Sequence, residues 1–185
     1  SSAASDVYKR QLVKRFGIDK KKKVCNLSKG MLSMLTVIIG LASKAEITIL
    51  DEPAAGLDVI VREEFYKLII DEQQENGRTF IISTHIIEEA ANVFEEVIIL
   101  KDKCVYLKEN TVELLDKCRY VSGLEEDVKN AVDGCKIINE EHIGRSYAVT
   151  VMQDGDGKIK AVQHVTVQSV SLQNLFIAIC GQSNM

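Results

Sequence analysis

The chain has 185 residues and a formal net charge of −4, with 46% hydrophobic and 27% charged residues. That is enough chain for one full domain, or one domain with a small appendage, and the mild acidity gives no electrostatic reason to expect nucleic acid as a partner. The five cysteines are scattered, with no CxxC pair and no His at zinc-ligand spacing, so they read as reduced thiols in a cytosolic setting rather than as a disulfide framework. The best apolar run, TVIIGLA, is far short of the roughly 20 residues of a membrane span.

In chain order, DVYKRQ (Asp6 to Gln11) comes first. It looks like one reading frame of the transposon end used in DNA library preparation. The expectation is that residues 1–11 are a non-native leader and that native sequence begins near Leu12, inside a domain. LVKRFGI reads as the end of a helix, and Asp19 to Lys23 as a solvated charged loop, since nothing aromatic interleaves the lysines. From Lys29 the apolar residues are too dense for a one-sided surface helix, so a largely buried helix is expected, with Ser28 as its N-cap. ITIL is a short apolar run bounded by Glu46 and Asp51, as expected of a buried parallel strand.

VIVREEFYKLIIDEQQEN carries Phe65, Leu68 and Ile69 on one face and charges opposite, the pattern of an amphipathic helix stopped by Gly77. RTFIIST reads as a second buried strand, HIIEEAANVF as a short helix, EEVIILKD and KCVYLKE as two further strands joined by a KDK turn. Alternation of strand and helix implies an α/β layer with a parallel sheet. After about Cys118 the texture changes. RYVSG, SYAVTVM and AVQHVTV read as strands, LEEDVKNAV and VSLQNLFIAI as helices, and QDGDGK as a turn too short for a calcium-binding loop. Residues 118–185 are expected to form a small α+β appendage.

Four short segments carry chemistry. Asp51 and Glu52 directly follow a buried strand, where α/β sheets bind ligands. A carboxylate is favourable there when a cation or polarised water offsets its desolvation, and in phosphoryl-transfer sites one acid holds Mg2+ while the next orients the attacking water. The plain alternative is that both acids only cap a loop. His85 follows the second strand in the same way. Two parallel strands ending so put His85 and Glu52 on one edge, where an imidazole can bond a phosphate oxygen; a lone His at a helix start is otherwise a cap or surface residue. In NLSKGM, Ser28 at a helix start followed by Gly30 offers backbone N–H groups to an anion, although such starts are also merely structural. In AAGLD, Gly56 suits a tight turn and Asp58 an N-cap.

In this order, LSKGM, ITILDEP, AAGLD and STH resemble the C-terminal two-thirds of the ATP-binding domain of ABC transporters, over nearly all of Leu12 to Lys117. The resemblance implies that Leu27, Ser28, Lys29, Gly30 and Met31 are the signature motif, usually LSGGQ. It implies that Ile47 to Asp51 are Walker B with Asp51 at the metal, and that Glu52 is the catalytic glutamate. Gly56, Leu57 and Asp58 then form the D-loop, and His85 is the switch histidine. Lys29 and Met31 depart from the usual signature but are similar to variants in bacterial ABC-2 exporters, and the tail from Cys118 resembles the extension of some of those exporters.

The implied fold is a partial P-loop NTPase fold of the ABC ATPase type with a small α+β appendage, the domains being 12–117 and 118–185. The implied cofactors are ATP and Mg2+. The implied partners are a second ATPase subunit, packed head to tail, and a transmembrane permease that holds the protein at the cytoplasmic face of the membrane; nucleic acid is not implied. No GxxxxGK[ST] run occurs in the 185 residues. The phosphate-cradling loop and its Lys are therefore expected upstream of Leu12, and the chain alone is expected to bind ATP poorly and lack ATPase activity. Competing readings are a DNA-repair or ribosome-associated ABC ATPase, without visible coiled-coil or tandem-cassette features, and a non-catalytic dimerising or regulatory half.

Overall fold

A computed structural model describes residues 2–155 and 157–181. The chain divides into two compact units, Ser1–Val93 and Phe94–Met185. The first contains α1 (Ser2–Arg15), α2 (Lys29–Ala42), β1 (Ile47–Asp51), α3 (Val59–Asn76), β2 (Thr79–Ser83) and α4 (Ile87–Ala90). The segment DVYKRQ lies within α1.

β1 and β2 pair in parallel, from Ile47 opposite Thr79 to Asp51 opposite Ser83. A parallel pair needs a crossover, and α3 supplies it. Asp58 caps α3 by accepting the Val61 N–H at 3.0 Å, and Gly77 ends it in the left-handed region at φ 62°, where a residue without Cβ is least strained. α3 buries Phe65, Tyr66, Leu68, Ile69 and Glu72. α2 packs against β1, and Gly40 allows the approach, since a Cβ there would lie 3.3 Å from Thr48 Cγ2.

The two strands are not buried on both faces, contrary to the expectation. Thr48 and Leu50 point into the core, but Ile47 and Ile49 are 62% and 72% exposed and Ile81 is 50% exposed. The strand period of two sends alternate residues to opposite faces, and only one face is covered. α2 is likewise one-sided: Met34, Val37, Ile38 and Leu41 are buried while Leu32 and Ile39 are exposed.

One polar group is buried by design. Arg78, 4% exposed, donates to the carbonyls of Ala45, Leu41 and Gly40, to Thr48 Oγ1 and to Glu72 Oε2. Lys44 donates to the same Glu72 at 2.7 and 3.0 Å and sits 4.0 Å from the Tyr8 ring centroid. Burial pushes the Glu72 carboxyl up, but the hydrogen bonds from Lys44, Tyr8 and Arg78 together hold it below its ordinary value.

The second unit begins with a hairpin. β3 (Glu96–Lys101) pairs antiparallel with β4 (Cys104–Asn110). Asp102 and Lys103 turn it with φ 51° and 64°, the two positive values of a type I′ turn. The third strand of the expected parallel layer therefore pairs with its sequence neighbour, and among the described residues β1–β2 is the parallel pair.

Next come α5 (Thr111–Lys117), β5 (Cys118–Gly123), α6 (Glu125–Ala131), β6 (Lys136–Ile143), β7 (Ser146–Met152), β8 (Thr166–Ser169) and α7 (Leu172–Cys180). The sheet order is β6-β7-β5-β8, all antiparallel. Val121, Val149 and Val151 meet Val128 and Val132 beneath it. The change of texture at Cys118 coincides with the first strand of this sheet. AVQHVTV contributes only its last two residues to β8, and of the turn QDGDGK, Asp156 lies outside the described residues.

Candidate functional site

The site is built at the C-terminal ends of β1 and β2. In-register pairing sets Asp51 beside Ser83, and the Ser83 hydroxyl donates to Asp51 Oδ1. Glu52 extends the ladder by one rung, its N–H donating to the Ser83 carbonyl at 2.9 Å. The chain then leaves the strand abruptly. Glu52 has φ 44°, a conformation that opposes its Cβ to the following carbonyl, and Pro53 disfavours a helical continuation of the residue before it. Ala55 N–H closes the turn on the Glu52 carbonyl at 3.1 Å.

This turn aims the Glu52 side chain at His85, two residues beyond β2. The separation between Glu52 Oε1 and His85 Nδ1 is 2.7 Å. The second carboxylate oxygen, Oε2, is buried without a hydrogen-bond partner, while the imidazole is 72% exposed. With Nδ1–H donating to the carboxylate, Nε2 faces away from it; a protonated ring donates from both nitrogens. Thr84 Oγ1 accepts the Ile86 N–H at 3.0 Å and fixes the turn that carries His85.

The second group lies at the start of α2. Ser28 Oγ accepts the Met31 N–H at 3.2 Å, which satisfies one of the unpaired N–H groups of the helix end. Gly30 sits hard against the loop after β1, and a Cβ there would overlap the Gly56 carbonyl. Gly56 has φ 80°, and Ser33 Oγ donates to the Ala55 carbonyl at 3.2 Å. So Gly30 and the stem of Lys29 lie against Gly56, while Leu27 precedes the Ser28 cap and Lys29 and Met31 occupy the first turn. Asp58 serves as the cap of α3.

Two residues of the site carried no sequence signal by type alone. Ser83 becomes visible only when the two strand ends are aligned at Asp51. Arg62 links the loop before α3 to α4: its guanidinium donates to the Leu57 carbonyl at 3.1 Å and to Glu89 at 2.9 Å. It lies four residues after Asp58, on the face of α3 that returns toward the loop before it.

The donor chemistry bears on a metal. Among the described residues no three His, Cys, Asp or Glu side chains are arranged to hold a metal ion by themselves. The oxygens at the strand ends belong to Asp51 and Glu52. That set fits Mg2+, which is commonly held by one or two carboxylates with phosphate and water completing its shell, and does not fit an all-protein cage.

Residues 17–91 match the family described as "AAA domain, putative AbiEii toxin, Type IV TA system". The chain is 24% identical over 180 residues to the ABC transporter ATP-binding protein YtrB of Bacillus subtilis, covering 94% of this chain and 62% of that protein. It is 33% identical over 159 residues to an ABC transporter ATP-binding protein of Methanocaldococcus jannaschii, covering 85% of this chain and 55% of that protein. Among solved structures, the dimeric post-hydrolysis state of an ATP-binding cassette bound to ADP and Pi superimposes with a TM-score of 0.50 at 27% identity, over 55% of this chain and 44% of that one. The chain thus spans little more than half the length of the curated relatives it matches.

Proposed function

We propose that this chain is part of an ABC ATPase domain, with the mixed α/β fold of part of such a cassette, and that it supplies the hydrolytic edge of an ATP-hydrolysing transporter subunit. The observation that carries this reading is the 2.7 Å pairing of Glu52 with His85 beside Asp51, at the ends of two parallel strands.

Each residue has a role in it. Asp51 would hold Mg2+, and a bound Mg2+ would act there as a Lewis acid on the phosphate oxygens. Glu52 orients the attacking water and takes its proton at Oε2, the oxygen that no protein group occupies. A general base must lie within hydrogen-bond reach of the proton it removes, and the buried, unpartnered Oε2 is the Glu52 oxygen left free for a water to meet. His85 holds the other Glu52 oxygen and, when protonated, donates from Nε2 to a phosphate oxygen. Ser28 and the N–H groups around Gly30 grip the phosphate of a nucleotide bound by a second subunit, a use of the positive helix end. Leu27, Lys29 and Met31 shape that edge, and Asp58, fixed as a helix cap, meets the opposite subunit.

The whole assembly is then a head-to-tail pair of ATPase subunits docked on a permease at the cytoplasmic face of the membrane. Residues 12–117 form the ATPase part, 118–185 an extension of the ABC-2 exporter kind, and transport runs outward. The phosphate cradle comes from residues outside these 185, because no GxxxxGK[ST] run is among them.

Replacing Glu52 by Gln in the complete natural gene product tests the reading. Turnover should fall by about 10²–10⁴-fold, with ATP retained on the protein. Turnover at the wild-type rate would refute it and favour a non-catalytic regulatory half. Outward movement of solute in inverted or right-side-out vesicles carrying the permease checks direction, and ATP-driven uptake alone would exclude the exporter assignment.

A further inference from the structure

We propose that Ser83 is a positioning residue for hydrolysis: its hydroxyl ties the Asp51 carboxylate to the Glu52 main chain, so that metal-holding acid and water-orienting acid are set by one side chain. This rests on the proposed ATPase reading. Ser83 Oγ donates to Asp51 Oδ1 and also lies 3.4 Å from the Glu52 N–H, while the Ser83 carbonyl accepts that N–H at 2.9 Å.

Two features make this more than a strand-end contact. First, Asp51 and Ser83 are themselves exposed rather than core, so the hydroxyl is not there to satisfy a buried carboxylate. Second, Glu52 is held at φ 44°. A non-glycine residue is disfavoured in the left-handed region and persists there when its surroundings over-determine it. The surroundings that hold it are Ser83 on one side, the Pro53–Ala55 turn on the other, and His85 at the end of its side chain. Ser83 is the one of these that also fixes the direction of Asp51. Releasing it frees both acids without removing either.

Two variants separate this role from a structural one. In the 185-residue chain, amide hydrogen exchange at Glu52 should be about tenfold faster in Ser83→Ala, the scale of losing one hydrogen bond to a charged group's framework. In Ser83→Thr, which keeps the hydroxyl and suits a strand, exchange should stay near wild type. In the complete natural gene product, Ser83→Ala should lower kcat about tenfold at unchanged KM for ATP and raise the Mg2+ concentration for half-maximal turnover, with Ser83→Thr restoring both. Wild-type exchange or wild-type kcat in Ser83→Ala, alongside loss of turnover in Glu52→Gln, would overturn this inference and leave the ATPase reading intact. Full turnover in Glu52→Gln would remove the ATPase reading and this inference with it.

Discussion

Glu52 does at the scale of one residue what the chain does as a whole: it converts the end of a strand into a directed acid. The residue type alone could not do so. Its position after β1 supplies the edge, Pro53 the abrupt exit, and His85 the partner. On the proposed reading, a His85→Ala variant of the complete gene product should lose more turnover than nucleotide affinity, because it releases Glu52 as well as the proposed phosphate donor; equal losses in kcat and binding would place His85 outside the hydrolytic step. The cysteines give a second prediction at this scale. Burial pushes the Cys118 thiol up to about 11, whereas Cys25 and Cys104 are exposed. The thiolate is the reacting form, so iodoacetamide at mildly alkaline pH should modify Cys25 and Cys104 first and leave Cys118 until the chain unfolds. Mass spectrometry reads the order, and early modification of Cys118 would contradict its buried placement in β5.

At the scale of elements, the buried Arg78–Glu72 pair joins β2, α3 and the end of α2. Removing Arg78 leaves Glu72 with Lys44 as its remaining cation and strands the Ala45, Leu41 and Gly40 carbonyls that Arg78 satisfies, at a cost of about 1–3 kcal/mol for each unsatisfied buried group. Arg78→Met should thus destabilise the first unit by that order in urea unfolding, while Lys44→Met, on the more exposed arm of the same network, should cost far less. The pair also sets an acid dependence. Glu72 is held below its ordinary value in the fold, so its ionised form stabilises the fold above the unfolded pKa. That contribution is lost as pH falls through the depressed folded pKa. Stability measured across the acid range should therefore decline at the low end in the wild type and decline less in Glu72→Gln.

The elements also mark what the sequence can and cannot disclose. α2 and α3 were legible because capping and periodicity are local: Ser28, Asp58 and Gly77 each act within one turn. So were Asp51, Glu52 and His85 as neighbours, since a parallel register carries two strand ends to one edge. β6 was not legible. KIINEEHI has no clean alternation, because it is an edge strand with most side chains in solvent. α5 is short and hidden between two strands, its start marked only by Asn110, which accepts the Val112 and Glu113 N–H groups. The β3–β4 hairpin was legible from its KDK turn, whereas the exposure of Ile49 depends on what lies beside the strand, which a run of apolar letters cannot express.

At the scale of the molecule, a sheet face bearing Ile47, Ile49 and Ile81 is open to solvent. Contiguous apolar surface of this kind favours association. The 185-residue chain should bind a hydrophobic dye and self-associate, and Ile49→Lys with Ile81→Lys should reduce both without lowering Tm, since neither side chain is in the core. Unchanged association would show that this face is not its source. The same chain lacks a glycine-rich phosphate loop, so millimolar Mg-ATP should leave its Tm where it is; binding worth even 1 kcal/mol would move a domain of this size by about 2–8 °C.

The coupling of the acid and the imidazole is tested most directly by a double-mutant cycle on ATP turnover in the complete natural gene product. Two residues acting as one unit give strongly non-additive losses. Glu52→Gln combined with His85→Ala should be no slower than Glu52→Gln alone. If instead the two losses multiply, Glu52 and His85 act independently, and the 2.7 Å contact between them is not the hinge of the chemistry.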